Sequence, residues 1–184
     1  MINSKASKVI FVKSTIAVAA ATLILLGCGK GGDKAAVDGT EVKIGHVAPL
    51  TGPIAHLGKD NENGARLAIE EINKSGLTID GKKVVLTLVP EDDAEDPKTA
   101  TQVAQKLVDA KVAGVVGHLN SGTSIPASKI YSDAGITQIS PSATNPDYTK
   151  QGFKTTYRLV ATDAQQGPAL ANYVVGTLKA KTVA

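Results

Sequence analysis

From Glu41 onward the chain repeats one pattern. A short run rich in Val and Ile is followed by a loop carrying Gly, Pro or Asp, then by apolar residues at helical spacing. Strands alternating with amphipathic helices imply a parallel sheet covered by right-handed crossovers. Residues 41–49 read as the first strand and 50–58 as a loop with two glycines and a proline. Ala65, Ala68, Ile69 and Ile72 then mark a helix face that stops at Gly76. Asp80-Gly81 is a turn, residues 83–89 are a strand, and Asp96-Pro97 opens a helix with Val103, Ala104, Leu107 and Val108 inward. A strand at 112–116, a loop at 117–124, a helix at 125–134 with Pro126 in its first turn, and a strand at 136–140 continue the alternation. Only 3% of residues are aromatic, so the core must come from Ala, Val, Ile and Leu, which suits buried parallel strands.

After the loop at 141–146, residues 155–160 are extended. Asp163 is expected to cap a helix whose inner face holds Leu170, Ala171, Val174, Val175 and Leu178. Residues 181–184 read as the first residues of another strand.

The first forty residues follow different rules. Lys5, Lys8 and Lys13 precede an uninterrupted apolar run at 16–26, too short to span a membrane comfortably and typical of a secretory signal. The run ends Leu25-Leu26-Gly27-Cys28, and Cys28 is the only cysteine. This resembles a bacterial lipobox, in which the Cys28 thiol takes a diacylglyceryl group and becomes the first mature residue. The other reading is a plain signal peptide with an incidental cysteine. Residues 1–27 are thus assigned as a lipoprotein signal peptide and 28–40, rich in Gly, Lys and Asp, as a flexible tether. Removing three lysines from the 20 basic residues balances them against the 17 acidic ones, so the charge gives no case for nucleic-acid binding.

In an open parallel sheet, ligands sit beyond the carboxyl ends of the strands. Three loops qualify, at 49–58, 117–124 and 140–145. Asn120-Ser121-Gly122-Thr123-Ser124 brings hydroxyls and unpaired N–H groups to a helix start, which suits a carboxylate held by Ser121 and Thr123. The same residues would also serve as simple helix caps. Ser140-Pro-Ser-Ala-Thr144 offers carbonyls and the Thr144 hydroxyl to an ammonium group, or forms an ordinary strand-to-helix turn.

Enzyme chemistry finds little support. His46, His56 and His118 lack metal-ligand spacing, and there is neither a Gly-x-Ser-x-Gly elbow nor a phosphate-loop lysine motif. Neither a metal nor a cofactor is expected. The acidic cluster Glu91, Asp92, Asp93, Glu95 and Asp96 lacks the spacing of a calcium loop. It precedes a helix, where acidic side chains favour the dipole and remain solvated.

Several blocks then resemble one family in order. They are Ile44-Gly-His-Val-Ala-Pro-Leu-Thr-Gly-Pro53, Gly64-Ala-Arg-Leu-Ala-Ile-Glu-Glu-Ile-Asn73, Asp92-Asp-Ala-Glu-Asp-Pro97, Val116-Gly-His-Leu-Asn-Ser121, Pro126-Ala-Ser128 and Ile139-Ser-Pro-Ser-Ala-Thr144. They resemble the branched-chain amino-acid-binding proteins of bacterial ABC transporters, over residues 41–184. The resemblance implies a Rossmann-like α/β lobe of the type I periplasmic-binding-protein fold, one of two lobes that close on a ligand. It makes residues 41–158 an incomplete first lobe and 159–184 the start of the second. It gives Ser121, with Thr123 nearby, to the ligand carboxylate, and the Ser142 carbonyl and Thr144 hydroxyl, flanking Ala143, to the ammonium. Leu57 would lie against the apolar part of the ligand. Some relatives join the acidic loop to the serine loop by a disulfide, where this chain has Glu95 and Asn120.

Members of that family are about twice this length, so the resemblance implies a partial sequence or a degenerate copy, expected to expose apolar surface and to be marginally stable. The leading expectation is an extracytoplasmic, lipid-anchored receptor for Leu, Ile or Val that serves an ABC permease and ATPase. One alternative keeps the fold and binds an amide, urea or another amino acid. A further alternative is a sensory ligand-binding module.

Overall fold

The computed structural model of the protein describes residues 39–182. The expected signal peptide at 1–27, Cys28 and the expected tether up to residue 38 lie outside the described residues. The strands are β1 (Thr40–Ala48), β2 (Thr78–Ile79), β3 (Lys82–Asp92), β4 (Gly114–Gly117), β5 (Thr137–Ser140) and β6 (Thr156–Arg158). They form one sheet in the order β2-β3-β1-β4-β5-β6. All neighbours are parallel except β2 and β3. Those two are joined by Asp80 and Gly81, at φ 51° and 73°, the left-handed pair that a tight hairpin needs.

The helices are α1 (Ala55–Ser75), α2 (Pro97–Asp109), α3 (Ser121–Asp133), α4 (Asp147–Lys150) and α5 (Asp163–Asn172), which runs into a π-helical turn at Tyr173–Thr177. Period-two alternation assigns the two faces of the sheet. Val47 and Val115 point to one face, where Val103, Ala104 and Leu107 of α2 and Ala127 and Tyr131 of α3 close the core. Complete burial of Leu107 there contributes about 2 kcal/mol. Ile44, Leu86, Leu88 and Val116 point to the other face. There α1 leaves an open apolar groove of about 540 Å³, lined also by Ala65, Ala68, Ile69 and Ile72.

The alternation read from sequence holds up to β6, with four departures in the helices and one at the end of the described residues. First, α1 begins at Ala55, inside the span read as a loop. Its first turns carry no apolar stripe and are held by ion pairs: Glu62 accepts from Lys59 at 3.1 Å and from Arg66. Gly58 lets this turn press on the backbone just after β1, since a Cβ there would lie 2.0 Å from the Pro49 carbonyl oxygen. Second, α3 starts at Ser121 rather than at 125, because its buried face is partly hydroxylic: Thr123, Ser124 and Ser128 are buried. Third, Thr162 rather than Asp163 is the N-cap of α5, its N–H donating to Gln165 Oε1 at 3.0 Å. Fourth, no residue of α5 or the π-helical turn is buried, so Leu170 (65% exposed), Val175 and Leu178 have no core to enter. Of the residues expected to open a new strand, Lys181 and Thr182 are not in one, and 183–184 lie outside the described residues.

Candidate ligand-binding site

Successive crossovers from β1 run to opposite sides, to β3 and then back past β1 to β4. The loops at the carboxyl ends of β1 and β4 therefore splay apart and open a crevice. The β1–α1 loop is fixed by Asp92, whose carboxylate accepts the Leu50 N–H at 2.8 Å and the Thr51 hydroxyl at 2.5 Å. Leu57 lies not in this loop but in the first turn of α1, about half exposed. With Asp60, Asn61, Leu119, Pro141 and Ser142 it lines a depression of about 290 Å³. The larger apolar groove adjoins it through Asp60, Asn61 and Pro141, but extends along the sheet face, away from the main-chain groups described next.

The start of α3 is open. Asn120 is its N-cap residue, yet its side chain makes no bond to the helix. It turns sideways instead, its Nδ2 donating to Glu95 Oε1 at 3.3 Å. That contact bridges the two positions where some relatives are expected to carry a disulfide. The Ser121 and Gly122 N–H groups have no acceptor among the described residues. Ser121 Oγ accepts the Asn145 N–H at 3.2 Å and so keeps its own proton to donate. Thr123 departs from expectation. It is wholly buried at the third helical position, and its hydroxyl donates to the Asn120 carbonyl at 3.1 Å, so it does not face the crevice.

The β5–α4 loop adjoins the start of α3, joined to it through Asn145 and Ser142. Ser142 is exposed, and its hydroxyl donates to the Leu119 carbonyl at 2.6 Å. Ala143 is buried, its N–H on Ser140 Oγ at 3.0 Å and its carbonyl on Arg158 at 2.9 Å, so it presents no free polar group. The Thr144 carbonyl accepts the Asp163 N–H at 2.9 Å. Among the three carbonyls of this stretch, only that of Ser142 takes no hydrogen bond from a described residue. Arg158 also holds the Asn145 carbonyl at 2.8 Å and lies over the Tyr148 ring. The structure thus brings Ser121, Ser142 and Thr144 into adjoining loops, with Leu57 beside Ser142, and withdraws Thr123 and Ala143 into the core.

Beneath these loops lies a buried polar cluster that sequence reasoning missed. His118 Nδ1 is 2.8 Å from Asp93 Oδ2, and its Nε2 is 3.2 Å from the Tyr131 hydroxyl. All three side chains are buried. Burial pulls the His118 pKa below its ordinary value, and the hydrogen bond and charge of Asp93 oppose that pull without reversing it. Burial likewise lowers the pKa of His46, whose Nε2 meets Asn61 Oδ1 at 2.9 Å. Burial and neighbouring carboxylates push the Tyr131 hydroxyl far up, so it stays protonated. The acidic cluster is solvated only in part: Glu95 and Asp96 are exposed, and Asp93 departs from the expectation. Asp93 is buried, Asp92 holds a loop, Asp96 caps α2 through the Thr99 N–H at 2.7 Å, and Glu91 meets Lys106 at 3.2 Å. Among the described residues no group of three or more His, Cys, Asp or Glu side chains is placed to hold a metal ion.

The described residues thus form an α/β lobe with an open crevice at the carboxyl edge of its sheet, bordered by main-chain donors and acceptors. The sequence profile of the periplasmic binding protein family matches residues 41–184, and the chain belongs to that family. It is 44% identical over 144 residues to the leucine-specific-binding protein of Salmonella typhimurium, covering 78% of this chain and 38% of that one. It is 43% identical over 143 residues to the leucine-, isoleucine-, valine-, threonine- and alanine-binding protein of Pseudomonas aeruginosa, with the same coverage of each chain. Among solved structures, the branched-chain amino acid transporter substrate-binding protein LivJ of Streptococcus pneumoniae, in complex with isoleucine, superposes with a TM-score of 0.70. That match is 36% identical and covers 77% of this chain and 40% of LivJ. The chain thus spans about two fifths of the length of the relatives it matches.

Proposed function

We propose that this chain carries the first lobe of an extracytoplasmic solute-binding lipoprotein that captures aliphatic amino acids, Leu, Ile or Val, for an ABC permease and its ATPase. In this reading residues 41–158 form the lobe and 159–184 begin a second one. The exposed apolar side of α5 supports that division, since nothing in the described lobe covers it.

The observation that carries the ligand reading is the open start of α3. Two free N–H groups and the Ser121 hydroxyl form a carboxylate site at the positive end of a helix dipole. The Ser142 carbonyl and the Thr144 hydroxyl accept an ammonium on the neighbouring loop, and Leu57 offers apolar contact to a side chain. The coverage of relatives whose names specify leucine or branched-chain amino acids favours that ligand class over an amide or urea. A sensory role finds no comparable support.

Ligand-observed NMR competition with the mature chain tests the ligand class. Leucine, isoleucine and valine should compete with one another, whereas leucinamide, which lacks the carboxylate, should not. Equal competition by leucinamide would overturn the carboxylate assignment. Anchoring is tested separately: Cys28→Ala should abolish incorporation of labelled fatty acid and release the protein from the membrane fraction, and unchanged labelling would count against the lipobox.

A further inference from the structure

The polar cluster beneath the crevice is not required by the ligand chemistry, and its buried groups are costly unless each is paired. Its pairing is specific. The tautomer of His118 follows from its neighbours: Asp93 can only accept from Nδ1–H, and the Tyr131 hydroxyl can then donate to Nε2. The ring is thereby tied to the loop after β3 on one side and to the middle of α3 on the other.

The main chain of the same residue has a second set of bonds. The His118 carbonyl accepts the Ser124 hydroxyl from α3 at 2.9 Å and the Ser140 hydroxyl from the end of β5 at 2.7 Å. Ser140 Oγ then receives the Ala143 N–H at 3.0 Å. One residue later, the Leu119 carbonyl accepts the Ser142 hydroxyl. Residues 118 and 119 therefore hold both α3, with its open N–H groups, and the loop bearing the Ser142 carbonyl and Thr144.

We infer that His118 is the positioning residue of the crevice: Asp93 and Tyr131 fix its ring, and its carbonyl, through Ser124 and Ser140, locks the Ser121 helix start and the Ser142–Thr144 loop into one rigid platform. The inference rests on the proposed function for its meaning, because the platform sets the spacing between carboxylate and ammonium partners of an amino acid. Its geometry can be measured without any ligand.

A pH signature follows. Protonating His118 makes both ring nitrogens donors, so Tyr131 must turn its own proton away and the ring must shift against Asp93. The charged and titratable groups facing this ring are Asp93 on the loop after β3, Tyr131 on α3, and His46 on β1, itself beside Glu62 and Arg66 of α1. The lowered pKa of His118 places the change on the acid side of the ordinary imidazole range.

The test uses the chain from residue 28 onward without ligand, with backbone amides and imidazole nitrogens followed by NMR. The wild type should show His118 protonated at Nδ1 only near neutral pH. On acidification, the Ser121, Gly122 and Ala143 amides should shift with the same midpoint as the His118 ring. His46→Gln removes the neighbouring histidine and should leave that shared midpoint in place. Ser140→Ala, a small change, should speed exchange of the Ala143 amide about tenfold. Tyr131→Phe should move the loop amides, and Asp93→Asn should lower the shared midpoint. Loop amides insensitive to the His118 titration, or an Ala143 amide unmoved in Ser140→Ala, would overturn the inference and reduce the cluster to core packing. Failure of leucine to shift the same amides would count against the ligand reading alone.

Discussion

Individual residues carry opposing costs in this lobe, and pH separates them. His46 and His118 are buried and held below the ordinary imidazole pKa, with burial the largest cause in each. As pH falls below about 6.5, the unfolded chain takes up protons before the folded one does, so stability falls toward acid. The urea midpoint should therefore drop between neutrality and mildly acidic pH, and less steeply in His118→Gln. Asp92 acts lower on the scale. Its burial would raise its pKa, but hydrogen bonds from the Thr51 hydroxyl and from the Ala94 and Leu50 N–H groups outweigh burial and hold it below the usual value. Its contribution is full above about pH 4 and is lost as pH falls through the folded value. Asp92→Ala should cost about 2 kcal/mol at neutral pH and flatten the acid limb, with hydrogen exchange rising at Leu50.

At the level of elements, the periodic parts of the fold were legible and the polar parts were not. The α2 helix announced itself through the Asp96 cap, Pro97 and a clean apolar stripe, and β1 and β3 through Val and Ile. The first three turns of α1 did not, because ion pairs around Glu62 and the contact at Gly58 stand in for an apolar face. The first turn of α3 was hidden by serine and threonine side chains that bury their hydroxyls on main-chain carbonyls. The same effect explains the site. The loops holding the proposed Ser121 and Thr144 were singled out by their chemistry and Ser142 by the family resemblance, whereas Thr123 was drawn inward by a helix that starts earlier than expected. The role of Asp93 was not readable, since its partner His118 is distant in sequence. Gly58→Ala should cost about 1–3 kcal/mol in urea unfolding, because its Cβ meets backbone rather than a side chain that can move.

Across the described residues as a whole, burial is uneven. One face of the sheet is closed by α2 and α3, whereas the other leaves an apolar groove of about 540 Å³ beside α1, and α5 contributes nothing to the core. Such surface favours association and dye binding. The native chain should bind a hydrophobic fluorescent dye, and Leu170→Ser should leave stability within about 0.5 kcal/mol while lowering dye binding. A large loss of stability would show that α5 is packed.

In the proposed function, the crevice bordered by the joined Ser121 and Ser142–Thr144 loops holds an amino acid by its two charged ends. The most direct measurement is a leucine titration of the mature chain followed at every backbone amide. Binding in the millimolar range, about 4 kcal/mol, should shift the Ser121, Gly122 and Ser142–Thr144 amides together, and Ser121→Ala with Thr144→Ala should abolish those shifts. Leucine-dependent shifts confined to the apolar groove beside α1, or shifts undiminished in the double variant, would contradict the claim.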